Sequence, residues 1–121
     1  MWPDYYPEYC PPDDSDDCSG KVFRIIKGET ASEADFVPYI IEFFGDPNFQ
    51  SCKSAGLSVC VTLEAAKTKL EQPKFAGQYI AVLELPASAG KMKQARQSAH
   101  ATWWVPRDVS PLDYVCEVVE I

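Results

Sequence analysis

Gly56-Leu57-Ser58-Val59-Cys60-Val61-Thr62-Leu63 is the stretch on which the fold class turns. Its first six residues read as a strand in which Cys60 alternates with valines as a small buried hydrophobe. Thr62 follows as a good N-cap for a helix over Leu63 to Gln72, which Pro73 stops. Leu63, Ala66 and Leu70 give that helix a narrow apolar stripe, and Lys67 and Lys69 stand on its polar face.

Upstream, Lys21-Val22-Phe23-Arg24-Ile25-Ile26-Lys27 lies between Gly20 and Gly28 and reads as another strand. Strand period puts Val22, Arg24 and Ile26 on one face, and an arginine between two aliphatics marks either a sheet margin or a site. Ser32 followed by Asp35 resembles a capping box. Phe36, Ile40, Phe43 and Phe44 then recur at helical spacing before Gly45, with Pro38 placed in the first turn of a helix that starts near residues 33–35. Residues 45–55 read as a loop. Downstream, residues 78–85 are apolar enough for a central strand, and 101–105 and 114–121 are two more. The expected fold is therefore α+β: one domain over residues 21–121, with a mixed five-stranded sheet and two helices, preceded by an extended arm over residues 1–20.

A chain of 121 residues has the size of one domain, and 46% hydrophobic residues is too apolar for a disordered segment. No apolar run reaches the roughly 18 to 20 residues of a membrane span, and the N-terminus lacks the basic start and apolar stretch of a signal peptide. A cytoplasmic location is the expectation.

The net charge of −7 is unevenly placed. Asp4, Glu8, Asp13, Asp14, Asp16 and Asp17 crowd the arm, which has no Lys or Arg, so the rest of the chain holds 12 acids against 11 bases. Acidity of the whole is thus no argument for a nucleic-acid mimic, and direct nucleic-acid binding is not expected. From Leu85 to Arg107 there is no acid, but there are Lys91, Lys93, Arg96, Arg107 and the single histidine, His100. Such a segment is either a solvated loop or an anion site over which the acidic arm could fold. Four prolines in the arm exclude helix, while Trp2, Tyr5, Tyr6 and Tyr9 suit an arm held on the body by its aromatics.

Five cysteines, an odd number, argue against a complete disulfide framework, and the spacings of Cys10 from Cys18 and of Cys52 from Cys60 do not fit a zinc knuckle. No metal site is expected. Cys60 and Cys116 read as buried hydrophobes, which leaves Cys52, beside Lys53, as the candidate reactive thiol. There is no Gly-rich phosphate loop, nucleophile elbow or Cys-x-x-Cys. Hydrolase chemistry would need His100 as base with Cys52 or Ser58 as nucleophile. The alternative for His100 is a satisfied polar residue at a strand entrance.

The binding surface expected from these features joins Arg24, His100, Trp103, Trp104 and Arg107. Its ligand would be an anionic or nucleotide-like small molecule, or an acidic protein segment. Trp103 and Trp104 are adjacent on a strand and so point to opposite faces, one toward the core and one, taken as Trp103, outward.

Two resemblances bear on this reading. Tyr5-Tyr6-Pro7-Glu8-Tyr9-Cys10-Pro11-Pro12, Val22-Phe23-Arg24, Cys52 with Gly56-Leu57-Ser58-Val59, and His100-Ala101-Thr102-Trp103-Trp104 together resemble a small bacterial protein family without an assigned activity. The element order is also similar to the ADP-ribosyltransferase fold of the Arg-Ser-Glu type. That similarity implies NAD as cofactor, held by Arg24, with Ser58 supporting the nicotinamide pocket and Glu117 or Glu120 stabilising the ribose cation. Ser-Val-Cys stands where that family has Ser-Thr-Ser, and Glu117 and Glu120 are spaced so that they face opposite sides of a strand. Three functions follow as expectations: a binding module for an anion, a transferase that uses NAD, or a partner-blocking protein acting through its acidic arm.

Overall fold

The computed structural model describes residues 1–120. Its centre is one antiparallel sheet of seven strands: β1 (Asp16–Asp17), β2 (Gly20–Ile26), β3 (Leu57–Cys60), β4 (Tyr79–Leu85), β5 (Lys91–Gln94), β6 (His100–Trp104) and β7 (Val115–Val119). Their spatial order is β1-β5-β6-β3-β2-β4-β7. Three short helices accompany it: α1 (Tyr39–Glu42), α2 (Cys52–Ala55) and α3 (Leu63–Leu70). The chain is α+β, with seven strands where five were expected and antiparallel pairing where a mixed sheet was expected. The expected end of the last strand at Ile121 lies outside the described residues.

The two extra strands have identifiable causes. β5 is Lys-Met-Lys-Gln, whose charges hide it from a hydrophobic pattern, and β1 is two aspartates. They pair with each other, Asp16 opposite Met92 and Asp17 opposite Lys91, so the arm ends as the edge strand of the sheet. Charged side chains are what a sheet edge tolerates.

The helix expected after residue 33 is broken in two. A 3-10 turn covers Glu33–Phe36, Val37 is extended, and Pro38 becomes the N-cap of α1. Pro38 lacks an N–H and crowds Val37 out of the helical region, so a continuous helix through it is disfavoured. The capping acid does its expected work: the Asp35 carboxylate accepts from the Ser32 backbone N–H at 2.9 Å. Within residues 45–55 the structure adds α2, whose N-cap Ser51 accepts from Ser54 N–H at 3.2 Å. α3 begins where its Thr62 cap placed it, with Ala65 N–H donating to Thr62 Oγ1 at 3.1 Å.

Register assigns side chains to faces. Leu57 lies opposite Trp103 and Val59 opposite Ala101, while Ser58 lies opposite Thr102 and Cys60 opposite His100. On the first face Val22, Ile26, Leu57, Val59, Ala81, Leu83, Ala101 and Trp103 join Phe36 in one continuous core. On the second face the core is in two parts. Cys60, Ala66 and Ile80 form a cluster with the apolar stripe of α3, while Trp104 joins Ile40, Ala55 and Cys10 under α1, α2 and the arm. Gly56 lets α2 run into β3 against β6, because a Cβ there would collide with the Thr102 methyl and crowd the Trp103 carbonyl.

The arm lies on the body as its aromatics suggested. The Tyr6 hydroxyl accepts from Val105 N–H at 3.0 Å, and Trp2 stacks on Tyr6. Tyr9, by contrast, is 88% exposed and holds nothing down. A disulfide joins Cys10 to Cys52 across 42 positions of sequence. This corrects the reading of Cys52 as a reactive thiol, because its sulfur is spent in a bond. Cys18, 1% exposed, is free in the core, and Cys60 is free and buried. Cys116, expected to be buried, is exposed: β7 is an edge strand whose pairing with β4 slips at Val82/Leu83. No helix among the described residues is long and apolar enough to cross a membrane.

Candidate functional site

β2 and β3 share one bridge, Phe23 opposite Cys60, and the sheet opens beside it. Arg24 occupies that opening. Its Nε donates to the Asp35 carbonyl at 2.8 Å and an Nη to the Ser58 carbonyl at 2.6 Å, with the guanidinium 5.8 Å from the centre of the Phe36 ring. Burial lowers the Arg24 pKa from its usual value, against raising contributions from Tyr39, Asp35 and Glu42. Two of its donors thus tie β2, β3 and the turn before α1 together. The choice between sheet margin and site resolves to a central strand at a local gap in the sheet.

A cleft of about 400 Å³ lies over this gap. Arg24, Lys27 and Lys69 bring positive charge to it, Asp35 and Glu42 negative charge, and Phe75 and Tyr39 flat apolar wall. Ser58 also lines it. The Asp35 carboxylate is engaged by backbone N–H groups of Ser32 and Lys27, at 2.9 and 3.1 Å, which leaves it less available to a ligand than the lysines.

Ser58 has a second contact. Its Oγ lies 2.5 Å from His100 Nε2. The register explains the meeting: Ser58 and His100 are diagonal neighbours on one face of the β3–β6 pair, within reach of long side chains. Burial lowers the His100 pKa, and the charges of Lys69 and Lys53 lower it further. A neutral His100 with its proton on Nδ1 accepts the Ser58 hydroxyl at Nε2. Cys60 lies directly opposite His100, and burial raises its pKa, so its thiol stays protonated.

The other residues of the expected binding surface do not join this site. Trp103 is 0% and Trp104 2% exposed. They point to opposite faces, as adjacent strand residues must, but both faces are covered. The expectation of one outward indole is therefore corrected. Trp103 Nε1 donates to the Ala89 carbonyl at 3.0 Å and Trp104 Nε1 to the Cys52 carbonyl at 2.8 Å, so both polar tips are satisfied inside. Arg107 is held by the arm, through the Asp4 carboxylate and the Trp2 carbonyl at 3.1 Å. Lys91 pairs with Asp17 at 2.6 Å and Lys93 with Asp14 at 2.7 Å. The basic segment meets the acidic arm, and three of its cations are neutralised there.

Nor do Arg24, Ser58, Glu117 and Glu120 share one cleft. Glu117 is exposed on β7, which β4 and β2 separate from β3, and Glu120 lines a different hollow with Lys67 and Tyr79. No carboxylate from β7 stands beside Ser58, and two Arg24 donors are already on carbonyls. The sequence-based reading named Arg24, Ser58 and His100 but not Lys27, Tyr39 or Phe75, which no motif marks. Lys69 alone had a signal, its place on the polar face of α3. No family model, curated protein or solved structure matches the chain.

Proposed function

We propose that the protein is a small binding domain that takes an anionic small molecule in the cleft between α1, α3 and the opening of β2 from β3. The observation that carries this reading is the convergence of Arg24, Lys27 and Lys69 on one concave site that Ser58, Phe75 and Tyr39 also line. Cationic groups with a flat apolar wall suit a ligand with an anionic end and a planar body, such as an aromatic carboxylate or a nucleotide. Thermal-shift titration with benzoate, AMP and inorganic phosphate tests it. A ligand at one hundred times its Kd stabilises by about 2.7 kcal/mol, and Lys69→Glu and Lys27→Glu should abolish the shift. Equal shifts in wild type and both variants would defeat the reading.

A second reading, a protein partner, is favoured by an aromatic patch that adjoins the cleft at Tyr39. Phe43 stacks on Phe49 and Tyr39 packs tilted or edge-on against both, with centroids 4.5 to 5.8 Å apart, and Phe44 beside them is 86% exposed. Every charged residue from 29 to 46 is acidic. The fitting partner would present an apolar anchor among basic residues. The arm is a weaker candidate for a blocking device, since Asp4, Asp14 and Asp17 are already paired to the body. The disulfide supports work in an oxidising compartment over the expected cytoplasm.

A further inference from the structure

The geometry points to Ser58 and His100 as a nucleophile and base for acyl transfer, acting on an activated ester that carries an anionic group. This rests on the cleft being the ligand site and adds chemistry to it. Three observations carry it. Ser58 lines the cleft with its Oγ 2.5 Å from Nε2, the contact that general-base activation requires. Both residues sit on paired central strands, so the pair is fixed before a substrate arrives. Lys69 lines the same cleft and its charge is felt at His100, so a cation stands near the pair to favour a developing oxyanion.

The step balances with water as the only co-reactant. Ser58 Oγ attacks the ester carbonyl carbon, and its proton passes to His100 Nε2 as the Oγ–C bond forms. The tetrahedral adduct collapses, the bond to the leaving oxygen breaks, and that oxygen takes the proton from Nε2. Water, giving a proton to His100 Nε2, then attacks the acyl-serine carbonyl; the Oγ–C bond breaks, Ser58 Oγ takes that proton back from Nε2, and the acid is released. Cys60, opposite His100, is the competing nucleophile, but it is buried and protonated. The charged and titratable groups around His100 are Lys53 from α2, Lys69 from α3, Ser58 and Cys60 from β3, and Lys93 on β5, which Asp14 pairs.

The test uses the full chain, a fluorophosphonate probe read by intact mass and peptide mapping, and hydrolysis of p-nitrophenyl acetate against p-nitrophenyl hemisuccinate. One adduct per chain on the peptide containing Ser58 is expected, with the anionic ester turned over faster. Ser58→Ala should remove the adduct, Cys60→Ser should keep it, and His100→Gln should slow turnover by about 10²- to 10⁴-fold. The wild-type rate should fall on the acid side, as Nε2 becomes protonated. Peptide mapping of the wild type decides even where a variant fails to fold. No adduct on folded wild-type protein, an adduct elsewhere than Ser58, or unchanged labelling in folded His100→Gln would overturn the inference. If benzoate or AMP still shifts the melt while no adduct forms, the inference fails and the binding reading stands. If Ser58 is labelled but Lys69→Glu and Lys27→Glu alter neither the shift nor the preference for the anionic ester, the binding reading fails instead, and with it the anionic substrate.

Discussion

The two faces of the sheet are built from the same strands but are covered differently. One carries a single core from Val22 through Leu83 to Trp103, with Arg24 at its margin against Phe36. The other has two separate clusters, one under α3 and one around Trp104, and the Ser58–His100 pair lies on the strands between them. A continuous core needs only apolar side chains in register. A divided one leaves a strip where polar groups can be half-buried and still reach a cleft. The site therefore follows from what the coverings on the second face leave open, and Arg24, which stands on the first face beside Phe36, reaches the Ser58 carbonyl at the gap between β2 and β3.

The strongest way to break this contrast is to remove its two tryptophans in turn. Trp103→Ala should destabilise by about 5 kcal/mol, the upper end for large-to-small changes, because its indole lies in the continuous core and its N–H leaves the Ala89 carbonyl without a donor. Trp104→Ala should cost about 3 kcal/mol, since its cluster is smaller. Denaturant unfolding at matched m-value measures both, and equal costs would mean the second face is no less integral than the first.

Next in size is the Cys10–Cys52 bond, which holds the arm to α2 beside Trp104. A cross-link over 42 positions removes loop-closure entropy worth about 4 kcal/mol in the unfolded chain. Cys52→Ser, or reduction, should lower stability by about that amount and admit protease to the arm. Cys18 should stay unlabelled until the core unfolds, because burial pushes its pKa up to about 12. Rapid labelling of native Cys18 would contradict its place in the first-face core.

Most strands and α3 were legible because they announce themselves: Thr62 caps, Pro73 stops, and residues 20–26 and 79–85 are too rich in β-branched and aromatic residues to be anything else. What escaped was set by partners far away in sequence. β1 is a strand only because β5 gives it a ladder, and β5 because β6 does, while Cys52 reads as reactive until Cys10 is beside it. The two tryptophans show the limit well. Their opposite directions follow from the pleat, but whether a face is covered depends on α1, α2 and the arm. Of the site, Ser58 and His100 could be named as a nucleophile and base, yet only the β3–β6 register brings them together.

Arg24 sharpens the comparison from the other side of the gap. Arg24→Met keeps much of the volume against Phe36 but strips the donors from two backbone carbonyls, those of Asp35 and Ser58. A cost of about 2 to 3 kcal/mol is expected from leaving those acceptors unpaired. If the role is the structural one, the Ser58 strand should loosen with it. Amide exchange in residues 57–60 should quicken, and the anion-dependent thermal shift should fall. A melt unchanged from wild type would show that water replaces the guanidinium, and that the gap in the sheet is held by the bridge at Phe23 and Cys60 alone.

The smallest effect is in the pH dependence, and it bears directly on the strip between the clusters. His100 has a folded pKa below its unfolded value, from burial first and from Lys69 and Lys53 second. Over the window between the two values the unfolded chain binds more protons than the native one, so stability rises with pH. The contribution is complete above the unfolded value, near 6.5, and drains away as pH falls toward the folded value, where the ring must take a charge in a half-buried place and lose the hydroxyl it accepts from Ser58. His100→Gln should flatten that part of the stability–pH curve. Lys69→Gln should steepen nothing and shift the remaining titration upward, since one of the repelling charges is gone. A curve for His100→Gln that falls as steeply below pH 6.5 as the wild type would assign the acid sensitivity to carboxylates instead, and would leave the polar strip between the two clusters without a titrating member.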